Sequence, residues 1–353
     1  MEIPSRSQVL DTWRAAGGRA CVVFPIHHPR ALWRAFGFLP VEVWGPPGTE
    51  PSLGDAHLQA YTCSIVRCGL AFLEQGGLDA VDLIVVPHAC DSLQGLGSLL
   101  TDLAPPRQPV LTPYLPRTRG PAARAFLAAE LRAMGTRLAE ISGSRPTDDD
   151  LMAAARAEEE ADARVSALFR GRRSLALDNR GLYRVLRARE YLPVERFLAL
   201  CDEALAERGA QEGPGVILSG LVPEPMALLG VLDAHGVVVV ADDLACCGRR
   251  LAPPGTAVDP WERMAERLLS GAPDPTLGHP VAARLAWMQA HDPRAVLFWG
   301  VKSCEPELFD LPLMQRGLRA AGVPSVALEI DLASPACEQA TTRIEALLEG
   351  LEP

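Results

Sequence analysis

The stretch LIVVPHACDSLQG, residues 83–95, combines an apolar run, a proline and a cysteine, and then continues into a polar segment. Four consecutive apolar residues before a proline are typical of a short strand buried on both faces. In an open parallel sheet, the loop that follows the carboxyl end of a strand borders the crevice where ligands bind. The pattern therefore predicts that Cys90 lies at a ligand-binding edge of an α/β sheet.

The rest of residues 1–120 repeats this alternation of apolar strands and helices. A helix is predicted at PRALWRAFG, residues 29–37, because proline favours the first turn and glycine the position after the last one. A second helix is predicted at residues 60–77, where apolar residues recur at helical spacing before a glycine pair. The additional strands are predicted at ACVVFPI (20–26), PVEVWG (40–45) and PVLTPYL (109–115). Continuous apolar strands separated by helices indicate a parallel sheet covered on both faces.

Residues 121–210 are predicted to form a helical connector, and residues 211–353 a second α/β lobe. The connector contains three long helical patterns, one of which begins at Thr147 with three aspartates in its first turn. The strands of the second lobe are predicted at GVILSGL (215–221), GVVVVADD (236–243), AVLFWG (295–300) and PSVALEID (324–331). The predicted fold is α/β, with two doubly wound parallel-sheet lobes of the Rossmann or flavodoxin type joined by helices.

Composition excludes several classes of function. The chain has 353 residues, 48% of them hydrophobic, and a net charge of −10, which disfavours a nucleic-acid or anionic-membrane partner. No apolar run approaches the roughly 20 residues of a membrane-spanning helix, and the start lacks a signal-peptide pattern, so a cytoplasmic location is expected. Nine scattered cysteines, an odd number, do not suggest a disulfide framework.

Several cysteines follow predicted strands and are therefore expected at the ligand-binding rim: Cys90, the adjacent Cys246 and Cys247, and Cys304. Cys63 is expected near the start of the helix that precedes the LIVVP strand. The closely spaced cysteine pairs that are typical of structural zinc sites are missing from the sequence, apart from the adjacent Cys246 and Cys247. A cysteine nucleophile served by His27, His28 or His88 remains open. An iron–sulfur cluster also remains open as an alternative, because its inorganic core can join ligands from distant loops.

Five segments together resemble the iron–sulfur subunits of the 2-hydroxyacyl-CoA dehydratase and benzoyl-CoA reductase family, over most of the chain. The cysteine-containing segment at residues 54–95 most resembles the benzoyl-CoA reductase subunits. The other segments are FPIHHPRALWRAFGFLPVEVWG (24–45), GVILSGLVPEP (215–225), VVVVADDLACCGRR (237–250) and VLFWGVKSCEPELFDLPLMQRGLRAAGVPSVALEID (296–331).

The resemblance implies a [4Fe-4S] cluster between the lobes, held by Cys63, Cys90 and Cys304. It also implies a separate ATP-hydrolysing iron–sulfur activator that delivers a low-potential electron, and a CoA-thioester substrate. A ketyl radical anion would then permit either loss of a hydroxyl group or reduction of an aromatic ring. A paralogous subunit or a second copy of the chain is the expected partner.

Two alternatives accompany this interpretation. One is a double-cubane-cluster reductase of small molecules, and the other is a non-catalytic scaffold or partner subunit. The DDLACCGRR segment departs from the family pattern by one extra residue and a second cysteine, so Cys246 and Cys247 are placed outside the main site. Cys68 is about 140° from Cys63 around a regular helix and is not expected to share its cluster.

Other polar residues near these motifs are candidates for chemistry. His27, His28 and Glu305 are the candidate catalytic residues, as proton donors or substrate ligands. Asp91 is expected to cap a helix or to accept a hydrogen bond near the cluster. Arg249 and Arg250 are expected to face either CoA phosphates or solvent.

Overall fold

The computed structural model describes residues 2–46, 49–333 and 337–351 of the chain. It contains two four-stranded sheets in which all paired strands are parallel. The first sheet has the order β2-β1-β3-β4 and the second the order β6-β5-β7-β8. The predicted α/β class with two doubly wound sheets is therefore confirmed.

The first sheet is built from strands shorter than the apolar runs suggested. They are β1 (Arg19–Val23), β2 (Phe38–Glu42), β3 (Leu83–Val85) and β4 (Val110–Leu111). β4 is confined to two residues because Pro109 and Pro113 flank it, and proline has no N–H to donate to a ladder. The helices of this region are α1 (Arg6–Ala15), α2 (Arg30–Ala35), α3 (Pro51–Asp55), α4 (Ser64–Glu74) and α5 (Asp91–Ser98), the last followed by a π-helical turn (Leu99–Leu103).

Helices dominate the middle of the chain, as predicted. They are α6 (Pro121–Ser142), α7 (Asp148–Arg170), α8 (Asn179–Ala188) and α9 (Val194–Ala206). Thr147 caps α7, accepting from the backbone N–H of Asp150 while Asp150 accepts from that of Thr147. α6 and α7 also pack against α11 (Pro260–Leu268), a helix from the later part of the chain. The boundaries at residues 120 and 210 remain predictions.

The second sheet lies close to its predicted strand positions. Its strands are β5 (Gly215–Gly220), β6 (Val238–Leu244), β7 (Ala295–Val301) and β8 (Ser325–Ile330). The remaining α-helices are α10 (Leu229–Ala234), α12 (Val281–Gln289), α13 (Glu305–Ala320) and α14 (Glu338–Glu349). Short 3-10 turns lie at Arg172–Ser174, Met226–Leu228, Gly248–Arg250 and Pro275–Leu277.

The two sheets share one apolar core. Buried Phe24 and Ile84 from the first sheet belong to the same packed cluster as Leu218 and Trp299 from the second. Burial of such side chains supplies most of the favourable free energy of folding. A continuous core holds the carboxyl ends of both sheets in one arrangement. None of the helices in the described ranges combines the length and the apolar character required to span a bilayer.

Candidate functional site

Four of the nine cysteines lie immediately before the first turn of an α-helix: Cys337 before α14, and the three cysteines for which a shared cluster was expected. Cys63 is the N-cap of α4, Cys90 of α5 and Cys304 of α13. The first backbone N–H groups of a helix have no intrahelical partner and carry a partial positive charge. The helix N-terminus therefore favours a thiolate at each of these positions, although burial and the neighbouring Cys63 thiol raise the pKa of Cys90 and of Cys304.

The three thiols line one pocket at the carboxyl ends of both sheets. Ile26 follows β1 and Cys90 follows β3, while Leu221 follows β5 and Cys304 follows β7. In each sheet these are the two neighbouring strands where the direction of crossover reverses, and open α/β sheets bind ligands at that point. Side chains of both lobes line the pocket.

Backbone hydrogen bonds hold the cysteine-containing loops together. The N–H of Cys63 donates to Ser92 Oγ at 3.4 Å, which ties the Cys63 loop to the start of α5. The N–H of Ser64 donates to the carbonyl of Lys302 at 3.2 Å, and Ser64 Oγ accepts from the N–H of Leu332 at 3.4 Å. α4 of the first lobe is thus fastened to the loops that follow β7 and β8 of the second.

The thiols are close enough to influence each other's ionisation. A hydrogen bond from the Cys304 thiol holds the pKa of Cys63 below its ordinary value. Burial raises the pKa of Cys90 to about 11, and the neighbouring Cys63 adds to this rise. Three thiols, buried or half-buried, therefore lie around one pocket beside helix N-termini.

Unusual backbone conformations flank the pocket on both sides. Ile26 and His27 have φ values of +88° and +52°, and Ser303 has a φ of +63°. Positive φ is a genuine outlier for a β-branched residue such as isoleucine, and each such residue costs on the order of 1–3 kcal/mol. Strain of this kind clusters at functional sites, here directly beside the pocket and directly before Cys304.

His27 is connected to the cysteine pocket through Thr276. Its Nε2 lies 2.7 Å from Thr276 Oγ1 and 3.3 Å from Asp274 Oδ2, and Thr276 itself lines the pocket. The Thr276 hydroxyl donates to Asp274 Oδ1, so it accepts the proton of His27 Nε2. The imidazole is held in one tautomer at the edge of the pocket.

A buried ionic network next to the pocket contains functional candidates that the sequence did not indicate. Glu307 lines the pocket and accepts from Arg249 Nη1 at 2.6 Å and from Arg284 Nη2 at 2.9 Å. Arg249 also approaches Asp274 Oδ2 at 3.5 Å and Asp243 Oδ1 at 3.7 Å. Glu307 follows Cys304 by three residues and lies in the first turn of α13. This short spacing was the sequence signal that could have indicated Glu307 as a site residue.

The other catalytic candidates from the sequence occupy different environments. His28 is buried; its Nδ1 accepts from Trp33 Nε1 at 3.0 Å, and its Nε2 lies 3.1 Å from Glu42 Oε1. Burial lowers the pKa of His28 to about 4, which keeps it neutral near pH 7. Glu305 lines the cysteine pocket as the first residue of α13, but its side chain is largely exposed.

The expected roles of Asp91 and of the two arginines need correction. Cys90, rather than Asp91, is the N-cap of α5, and the exposed Asp91 lies 3.5 Å from Arg117. The alternative that Arg249 and Arg250 face solvent is wrong. Their side chains are 1% and 9% exposed, because both are packed between the lobes against acidic partners.

The remaining cysteines near these loops do not line the pocket. Cys68 is buried in α4 beside Gly45, and burial raises its pKa to about 11. The Sγ atoms of Cys246 and Cys247 lie 3.3 Å apart after β6, where burial and the neighbouring thiol raise the pKa of Cys247. In the part of the chain that the structure describes, no three Cys, His, Asp or Glu side chains are arranged to hold a single metal ion.

Asp242, buried close to the Cys246–Cys247 pair, predicts an unusual pH dependence. Burial raises its pKa to about 7, although it accepts from Tyr183 Oη at 2.7 Å and from two backbone N–H groups. A raised carboxyl pKa contributes stability that is fully present below about pH 4 and is lost as the pH rises through about 7. An asparagine at position 242 does not titrate, so it makes no such pH-dependent contribution to stability.

We therefore expect the stability of the wild type relative to Asp242→Asn to fall by about 2–3 kcal/mol between pH 5 and pH 9. Urea unfolding of both proteins at the two pH values measures this difference. A difference that stays constant with pH would contradict a raised pKa at Asp242.

Most of this chain matches a known protein family. Residues 25–351 match the family described as HGD-D, 2-hydroxyglutaryl-CoA dehydratase, D-component. The chain belongs to this family. The match begins at the residue before Ile26 and extends to α14 and the residues after it, so it includes all three pocket cysteines and every strand except β1.

Three relatives are similar to this D-component chain over almost all of the chain's length. The lactoyl-CoA dehydratase subunit beta of Anaerotignum propionicum is 25% identical, and the (R)-phenyllactyl-CoA dehydratase beta subunit of Clostridium sporogenes is 28% identical. Each alignment covers 98% of this chain and 95% of the relative. A benzoyl-CoA reductase subunit of Thauera aromatica is 24% identical, over 90% of this chain and 87% of its own.

Proposed function

We propose that this chain is the iron–sulfur subunit of a radical CoA-thioester enzyme, of the 2-hydroxyacyl-CoA dehydratase or benzoyl-CoA reductase type. Cys63, Cys90 and Cys304 would hold a [4Fe-4S] cluster between the lobes. The observation that carries the proposal is the convergence of these three thiols, each at a helix N-terminus, in one pocket.

The pocket residues fit such a cluster chemically. Thiolates are the usual ligands of iron–sulfur clusters, and an inorganic core can join ligands that are too far apart for one ion. The three helix N-termini offset the negative charge that iron-bound thiolates bring. Ile26, Leu93 and Leu221 form part of the apolar lining, which would limit the access of water.

When bound, the cluster would supply low-potential electron transfer and, at an iron without a protein thiolate, a Lewis acid for a substrate oxygen. The chain's own residues would position and protonate the substrate. His27, fixed by Thr276 and Asp274, is placed to hold a proton at the edge of the pocket. Glu307, fixed by two arginines, would keep its carboxylate oriented toward the pocket.

The names of the relatives support the proposed partners. Two of them are called beta subunits of CoA-thioester dehydratases, which favours a paralogous second subunit over a homodimer for this chain. The substrate would be a CoA thioester, and the electron would come from a separate ATP-dependent iron–sulfur activator. A cytoplasmic location would suit such an assembly.

Anaerobic purification followed by iron and sulfide analysis tests the cluster. We expect about four iron and four sulfide per chain. About eight iron would instead favour a double-cubane reductase, and little or no iron would favour a scaffold subunit. Either result would contradict the single cluster proposed here.

A further inference from the structure

A second pocket, which has His27 in its lining, brings five arginines together. It lies between α2, α7, the end of α8, α11 and the turn after β6. We call it the arginine pocket, and its charged lining includes Arg30, Arg189, Arg250, Arg267, Glu158 and Asp162. Arg249 also borders it, but Glu307 and Asp274 already neutralise that side chain.

The ion pairs around the arginine pocket leave an excess of positive charge. Six arginines have only four carboxylates within ion-pair distance in the described part of the chain, and Glu195 and Glu266 act on Arg34 and Arg263 only from farther away. The carboxylates are Glu42, Glu158, Glu159 and Asp162, and the arginines are Arg30, Arg34, Arg189, Arg250, Arg263 and Arg267. His28 adds no charge near neutral pH, because its pKa is about 4.

Several guanidinium nitrogens of this pocket are buried without a hydrogen-bond partner. Arg250 donates from Nη1 to Glu42 Oε1 at 2.7 Å, but its Nε and Nη2 have no acceptor. The Nε atoms of Arg189 and Arg267 are also buried and unpaired. An unsatisfied buried donor is costly, and more so when it is charged. These nitrogens therefore have donor capacity left for a bound anion, although Arg267 Nε also lies 3.7 Å from Glu159 Oε1.

The pKa values of two of these arginines also indicate crowded positive charge. Burial lowers the pKa of Arg30 to about 10, and the charges of Arg189 and Arg250 lower it further. Burial lowers the pKa of Arg34 to about 9, with Arg30 and Arg189 as additional causes. A bound anion would reduce the cost of holding these guanidinium groups together.

We propose that the arginine pocket binds a dianionic oxyanion of the phosphate class, with Arg250 as its principal ligand. The fork of guanidinium donors matches phosphate oxygens, and the excess of arginines over nearby carboxylates suits a phosphate dianion. A dicarboxylate shares the charge but not the tetrahedral arrangement of oxygens. The proposal depends neither on the cluster nor on the identity of the CoA substrate.

Thermal unfolding of the full chain at pH 8 tests the site, with inorganic phosphate, succinate and sodium chloride compared at equal ionic strength. A ligand that binds only the folded state raises the melting temperature in a saturable way. We expect this from phosphate, with succinate at least tenfold weaker and no saturation with chloride. In Arg250→Gln, phosphate should bind about 10- to 100-fold more weakly.

Arg117→Gln, which removes the same charge from an exposed side chain outside the pocket, is the control and should bind phosphate as the wild type does. If Arg250→Gln does not fold, the same measurement on Arg250→Lys tests the site. Lysine keeps the positive charge but lacks the forked guanidinium donors, so phosphate binding should weaken several-fold. Non-saturable stabilisation of the wild type, equal affinity in the Arg250 variants or preference for succinate would overturn the proposal.

Discussion

Cys63→Ser, purified without oxygen, is expected to retain less than about one of the four iron atoms that the proposed cluster would hold in the wild type. Serine is a poor replacement for a thiolate because iron–sulfur clusters require soft sulfur ligands. Cys63 also connects the other two loops, since its thiol contacts that of Cys304 and its N–H donates to Ser92 in the first turn of α5. Iron and sulfide analysis, with the visible absorption of the cluster, measures the loss.

Cys68→Ser is the matched control for this experiment. Cys68 is another buried cysteine of the same region, in the second turn of α4, but it lies against Gly45 and outside the pocket. We expect this variant to keep about four iron atoms. Equal iron loss from both variants would indicate unfolding rather than loss of a ligand, and full iron in Cys63→Ser would remove Cys63 from the ligand set.

Arg249→Met is expected to lower the free energy of unfolding by about 3–5 kcal/mol. The Arg249 side chain is 1% exposed, donates to Glu307 and to the carbonyls of Asp243 and Gly220, and approaches the Asp274 carboxylate. Methionine fills similar space but leaves these buried carboxylates without their central cation. Urea unfolding at pH 7 measures the change.

The pH dependence provides a second test of the same variant. Arg249 helps to hold the pKa of Asp274 and of Glu307 below the ordinary values. A depressed carboxyl pKa contributes stability above about pH 4, and this contribution is lost as the pH falls below it. The difference between the wild type and Arg249→Met should therefore shrink on acidification.

The exposed Arg137–Glu140 pair offers a control for the ionic network. Its two side chains are 62% and 60% exposed, and Arg137→Met should cost less than about 1 kcal/mol because water screens such pairs. A cost this small for Arg249→Met as well would mean that the buried network does not stabilise the fold.

Local patterns predicted the elements of this fold because the relevant interactions are short in sequence. The apolar run before Cys90 forms β3, Thr147 caps α7, and the glycine at residue 37 adopts a φ of +83° just after α2. Strand lengths were less predictable, since β4 ends where proline interrupts pairing. The cap of α5 was assigned to Asp91 because its side chain suits that role, yet Asp91 is already the first helical residue and Cys90 is the cap.

The sequence by itself determined that an α/β chain would place cysteines after buried strands, because hydrophobic periodicity and turn residues act over a few positions. Only the tertiary structure decided which side chains meet. Thr276 reaches His27, Arg249 reaches Glu307, and Arg250 reaches Glu42, although 249, 58 and 208 positions separate these pairs. Such contacts depend on how two sheets pack around a common core, and no local pattern encodes that arrangement.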